Sequence, residues 1–183
     1  MSIPRPARPD LALTLLRCKK NDQDARDYGQ PPTVADARAV MTVDAENTAT
    51  LRRITTAHGW PGRTLVGEEA ADAAWLIAQH ADADTEFQNW ARELLEQAVK
   101  LGDAPPRHLA YLTDRCCLHA RWPQKYATQY VPGDQGLELY PVEEPEHLDE
   151  RRAAIGLEPF ADYDARIRFG AALFGEAGRR DGG

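Results

Sequence analysis

The residues best suited to move protons in this sequence are two histidines at expected helix ends. His80, in Gln79-His80-Ala81-Asp82, closes an otherwise apolar run, and His58 directly precedes the turn Gly59-Trp60-Pro61-Gly62. An imidazolium near a helix C-terminus gains about 0.3–1 kcal/mol from the macrodipole, and imidazole is the side chain that changes charge near neutrality. General acid–base chemistry is what that combination suits. His58 also shares a stripe with Val40, Asp44, Asn47, Leu51 and Ile54, at steps of 4, 3, 4, 3 and 4. All six then fall on one helical face. Polar groups turned toward a core need partners, because an orphaned one costs about 1–3 kcal/mol. His80 is therefore the expected proton carrier, with His58 or Asp44 as a second carrier or orienter. The competing explanation is plain: a lone histidine on an apolar face is more often a satisfied core residue.

Asp22 and Arg26 stand four residues apart, the spacing of a solvated helix ion pair contributing about 0.3–0.5 kcal/mol. A metal held by His58, His80, Asp44 or Asp22 from different helices is also possible, as in helical bundles. Such a site needs three of those groups within reach of one ion. The five histidines, at 58, 80, 108, 119 and 147, are dispersed and form no HExxH. Cys18, Cys116 and Cys117 form no CxxC pair, so no structural metal, disulfide framework or cofactor is expected. Ser2 is the only serine, which removes serine hydrolase chemistry, and the glycine motifs of dinucleotide and P-loop sites do not occur. Asp114-Arg115 reads as a surface pair. In Gln124 to Gln129 (QKYATQ), strand alternation puts Gln124, Tyr126 and Thr128 on one face and Gln129 on the other. That polar face is either solvated or a wall for a polar ligand.

These groups must be positioned mostly by helices. Asp10 is expected to cap a helix to about Tyr28, stopped by Gly29 and Pro31–Pro32. Thr33 caps a second, ending at Gly59. A third is expected from about Gly67 to Ala81, and a fourth from Asp84 or Thr85 to Gly102, turning Phe87, Trp90, Leu94 and Ala98 inward. A fifth should run from about Arg107 to Ala120. After Pro123 the period changes to two, which predicts one β-hairpin near 124–142. Glu144 to Ile155 and Tyr163 to Phe174 return to helical spacing. The expected fold class is mainly α, with one hairpin.

The 183 residues and 20.4 kDa fit one domain, here 11–174, with a flexible lead (1–10) and tail (175–183). Net charge is −7, so a nucleic-acid partner held by its phosphates is not expected. No stretch of 18 apolar residues suggests a membrane span, and the N-terminal segment does not read as a signal peptide. A cytoplasmic protein taking a small-molecule substrate is expected; its oligomeric state is open. Arginine outnumbers lysine 18 to 4, which reads as the codon bias of a GC-rich genome.

The ordered segments DQDAR (22–26), VDAENTATL (43–51), HGWP (58–61), VGEEAADAAWLIAQHAD (66–82), YLTDR (111–115), PQKYATQ (123–129) and RRAAIGLEP (151–159) resemble one bacterial family, domain of unknown function 6624. The resemblance spans roughly Leu11 to Tyr163. It implies that Asp22, Gln23, Arg26, Asp44, Asn47, His58, Gln79, His80, Asp82, Asp114, Arg115, Gln124, Tyr126, Thr128 and Gln129 occupy motif positions. It also implies glycine where this chain has Ala127, and it brings no activity. So many polar motif positions on buried faces favour an enzyme. Its catalytic residues are expected to be His80, His58 and Asp44. Substrate-binding residues are expected at Arg26, Asp22, Asn47, Gln79, Asp82, Arg115, Gln124, Tyr126 and Gln129. Hydrolysis, cyclisation and elimination are all compatible. The alternatives are a non-catalytic binding module and a metalloenzyme.

Overall fold

A computed structural model describes residues 6–28, 32–134 and 136–180. The structure is 69% helical and carries one two-stranded antiparallel hairpin, as the periodicities predict. Gly29, Pro31, Gln135 and the ends of the expected lead and tail lie outside the described residues. The chain divides into two compact units, one up to Leu112 and one from Thr113 onward.

The first unit opens with α1 (Pro9–Arg26) and α2 (Val34–His58). Asp10 does not cap α1. The helix starts at Pro9, because proline's fixed φ and missing N–H suit a first turn, and Asp10 pairs instead with Arg8 at 2.7 Å. Thr33 does cap α2, in a capping box with Asp36. Gly59 ends α2 at φ 72°, a conformation that glycine adopts without steric cost. A four-residue helix, α3 (Arg63–Val66), follows the turn and was too short to show a period. Then come α4 (Glu68–Gln79), α5 (Thr85–Lys100), capped by the Asp84 side chain on the Phe87 N–H, and α6 (Pro106–Ala120). The unit boundary falls inside α6.

Helices α1, α2 and α4 pack against one another. α4 can approach closely because Ala70, Ala71, Ala73, Ala74 and Ala78 are all buried. Leu15, Leu51, Ile54, Ile77, Phe87, Leu95 and Leu112 complete the core. Trp90 and Leu94 are only partly buried against it. α1 and α2 run antiparallel, as three contacts show: Arg26 on Asp44, Asn47 on Cys18 and Arg8 on His58. His108 stacks on Trp75 at 4.4 Å between ring centroids. Burial, helped by Arg107, pushes its imidazole down to about 4. The Asp72 carboxylate, 3.5 Å away, is too solvated to reverse this. His108 is thus a neutral core histidine.

The second unit contains the end of α6, β1 (Tyr130–Gly133), β2 (Gly136–Leu139), a 3-10 turn at Pro145–His147, α7 (Leu148–Ala154) and α8 (Phe160–Arg180). Residues 175–180, read from the sequence as part of a tail, continue α8. The hairpin is shorter than 124–142: Tyr130 pairs with Leu139 and Gly133 with Gly136. Gln124 makes only an isolated bridge with Val142, and residues 125–129 are not a strand. They form a loop wrapped on Asp114, whose carboxylate accepts from the backbone N–H groups of Lys125, Tyr126 and Thr128 and from the Thr128 hydroxyl, at 2.8–3.1 Å. Alternating polar residues mimicked a strand, but backbone N–H groups turned toward one carboxylate cannot also form a ladder. Ala127 sits at φ 56°, where alanine loses roughly 1–2 kcal/mol relative to glycine's freedom. That is the backbone reason a glycine is implied there.

Candidate functional site

Four charged or titratable groups of the first unit meet at one place. Asp22 and Arg26 come from the last turns of α1, Asp44 from α2, and His80 from the residue that caps the C-terminus of α4. His80 Nδ1 lies 2.6 Å from Asp22 Oδ1. Arg26 donates from Nη1 to that same oxygen at 2.6 Å and from Nη2 to both Asp44 oxygens at 2.9 and 3.0 Å. Gln23 donates to the other Asp22 oxygen at 2.7 Å. Asp22 is 1% exposed and the Arg26 side chain 27%. The pair read as solvated is therefore buried on its acidic side, and Arg26 reaches across to Asp44 of α2 while keeping Asp22 of α1.

The environment drives the two carboxyls apart. Burial opposes charge on Asp22, but the hydrogen bond and charge of His80, with Gln23 and Arg26, hold its carboxyl below the usual range. At Asp44 burial prevails and pushes the carboxyl up, against Arg26 and His80 and with the help of the Asp22 charge. A carboxylate can only accept, so Asp22 fixes the proton of a neutral His80 on Nδ1 and leaves Nε2 as the basic nitrogen. With His80 neutral and both carboxyls ionised, the cluster holds two carboxylates against one guanidinium. The remaining negative charge is what a proton or a cation would neutralise.

A cavity of about 260 Å³ adjoins the cluster. Asp44, Thr48 and Arg52 line one wall at spacings of i, i+4 and i+8 on α2, and His80 and Asp84 line the other. Ala45, Ala49, Ala81 and Ala83 make the remaining lining apolar and small. Arg52 pairs with Asp84 at 2.6 Å. Thr48 and Arg52 are not among the site residues expected from the sequence, although their spacing from Asp44 along one face of α2 is a usable signal, and Asp84 is expected only as a helix cap.

His58 does not join this site. It is exposed, lies 3.3 Å from Arg8 and lines a different cavity with Leu11, Thr14 and Ile54. At 25 residues α2 is about 37 Å long, and its last turn reaches the start of α1, beyond the core that its stripe covers. Asn47 is buried and donates to the Cys18 carbonyl at 3.0 Å, tying α2 to α1. Gln79 is buried beside His80 in sequence, and its Nε2 makes no hydrogen bond among the described residues. Asp82 lies 3.5 Å from Gln88 Nε2.

The remaining expected binding residues belong to the second unit's own network. Gln124 is fully buried; its amide donates to the Gln129 and Tyr140 carbonyls and accepts from the Gln129 N–H. Gln129 receives Arg115 at 3.1 Å and donates to Thr128. The Tyr126 carbonyl accepts from Arg152, a buried arginine that also holds the Glu158 carbonyl. Gln124 is engaged on every side and has no group left for a substrate. The Gln124 side chain thus clasps the loop to the residues after the hairpin.

The profile of a family of unknown function (DUF6624) matches residues 9–174. The chain belongs to that family. No curated protein and no solved structure matches it. That family model carries no activity with it.

Proposed function

We propose that this DUF6624 protein is a cytoplasmic enzyme that acts on a small polar metabolite by general acid–base chemistry, with His80 as the proton carrier. The observation that carries the reading is the hydrogen-bonded Asp22–His80 pair, clamped by Arg26 beside a cavity that His80 and Asp44 line. Asp22 orients the imidazole as a buried carboxylate does in a catalytic pair. Asp44, with its raised carboxyl, is the second proton acceptor. A volume of about 260 Å³ is below the usual 300–1,000 Å³ of drug-sized ligand sites, which suits a small substrate. The three cysteines form no disulfide, which supports a reducing compartment, and among the described residues no helix is long and apolar enough to cross a membrane.

One observation favours a second reading, a metalloenzyme. Asp22, Asp44 and His80 each offer a ligand atom, and these atoms lie within 4.8 Å of one another. Three protein ligands with open positions is a catalytic metal arrangement. Arg26 weighs against it, because its guanidinium already holds an oxygen of each carboxylate and a cation would have to displace it.

The test is a screen of small polar metabolites against chelator-treated protein, read first by melting temperature and then by product formation. A compound that stabilises the protein and is converted without added metal is the expected result. Conversion only after addition of a divalent metal would move the metalloenzyme reading ahead.

A further inference from the structure

The groove between α1 and α2 carries a second feature, formed by residues outside the cluster of Asp22, Arg26, Asp44 and His80. Two cavities, of about 550 and 250 Å³, share Thr14, Thr50 and Arg53 in their walls. The larger is also lined by Arg17 and Lys20, and among the described residues no acidic one lines either cavity. In a chain of net charge −7, this is a local reversal of sign. Lys20 pairs with Asp24. Arg17 makes no ion pair or hydrogen bond among the described residues, and Arg53 has only the Thr50 hydroxyl, at 3.1 Å. Burial pushes the Cys18 thiol up while the charges of Arg17 and Arg53 pull the other way. Both guanidinium groups therefore act on the same cavity floor. Two uncompensated like charges around one groove repel each other, and an anion between them removes that repulsion.

We propose that this groove binds a small organic phosphate, its phosphoryl group held between Arg17 and Arg53. A guanidinium fork matches phosphate oxygens in geometry as well as charge. The smaller cavity continues over Leu11 and Ile54 toward His58. It gives an apolar body somewhere to lie, which free phosphate would not use.

Phenyl phosphate is the probe, titrated into the whole protein at fixed ionic strength in a phosphate-free buffer and followed by calorimetry. Saturable one-site binding is expected, weakened at least tenfold in the double variant Arg17→Ala/Arg53→Ala. Both side chains are exposed, so that variant should keep the wild-type melting temperature. Arg38→Ala, which removes an exposed charge of α2 outside the groove, should leave the affinity unchanged. Failure to saturate at millimolar probe would overturn the proposal. So would equal weakening by Arg38→Ala, which would mean diffuse attraction, or no weakening in the double variant.

Discussion

His80→Gln is expected to lose about 100- to 10,000-fold in turnover of the substrate found by the screen, which is the usual loss for a general acid or base. Glutamine can still donate an N–H to Asp22, so the buried carboxylate keeps its partners while the proton carrier is gone. Asp22 also retains Arg26 and Gln23. The stability cost should therefore stay within about 1–2 kcal/mol, well under the 2–5 kcal/mol of a core Leu→Ala change. The two outcomes separate by parallel measurement of turnover and thermal unfolding. If His80→Gln keeps full turnover, His80 is a structural hydrogen-bonder. If no metabolite is converted although some bind, the protein is a binding module.

The second large effect falls on the other unit. Asp114→Ala should destabilise it by about 3–5 kcal/mol, because the change orphans the backbone N–H groups of Lys125, Tyr126 and Thr128 and the Thr128 hydroxyl at once, the Thr128 pair fully buried and the other two partly so. Each orphan alone costs about 1–3 kcal/mol, and partial entry of water keeps the sum below simple addition. Asp114→Asn, which keeps one acceptor oxygen, should cost about half as much. Amide hydrogen exchange at Lys125, Tyr126 and Thr128 reads this directly, and all three should lose protection together. A loss of less than about 1 kcal/mol in Asp114→Ala would mean that Arg152 and Gln124 hold the loop without it.

What the sequence made legible followed from local rules. Thr33, Asp84 and Gly59 act as caps because capping depends on two or three neighbouring residues. The Leu51 and Ile54 stripe is buried as its spacing requires. Other features depended on distant groups. QKYATQ alternates like a strand, and only the Asp114 carboxylate, ten residues before Gln124, decides that it becomes a loop. His58 keeps the azimuth of its stripe but lies past the end of the core, a fact of helix length that no period contains. At the candidate site the residue types were readable from their polarity on helical faces. Their meeting was not, because Asp22, Asp44 and His80 come from three helices and the side chain that joins two of them, Arg26, was accounted for by a local pair.

In the proposed mechanism Asp22 fixes His80 so that Nε2 is the nitrogen available to take a proton. Nitrogen-15 NMR of the imidazole reads the tautomer without any substrate. Neutral His80 should show a protonated Nδ1 and an unprotonated Nε2, and Asp22→Asn, which removes the charged acceptor, should let the Nε2–H form appear. An Nε2–H tautomer in the wild-type protein would contradict that mechanism, since Nδ1 would then accept from a protonated Asp22 and the histidine would present no basic nitrogen.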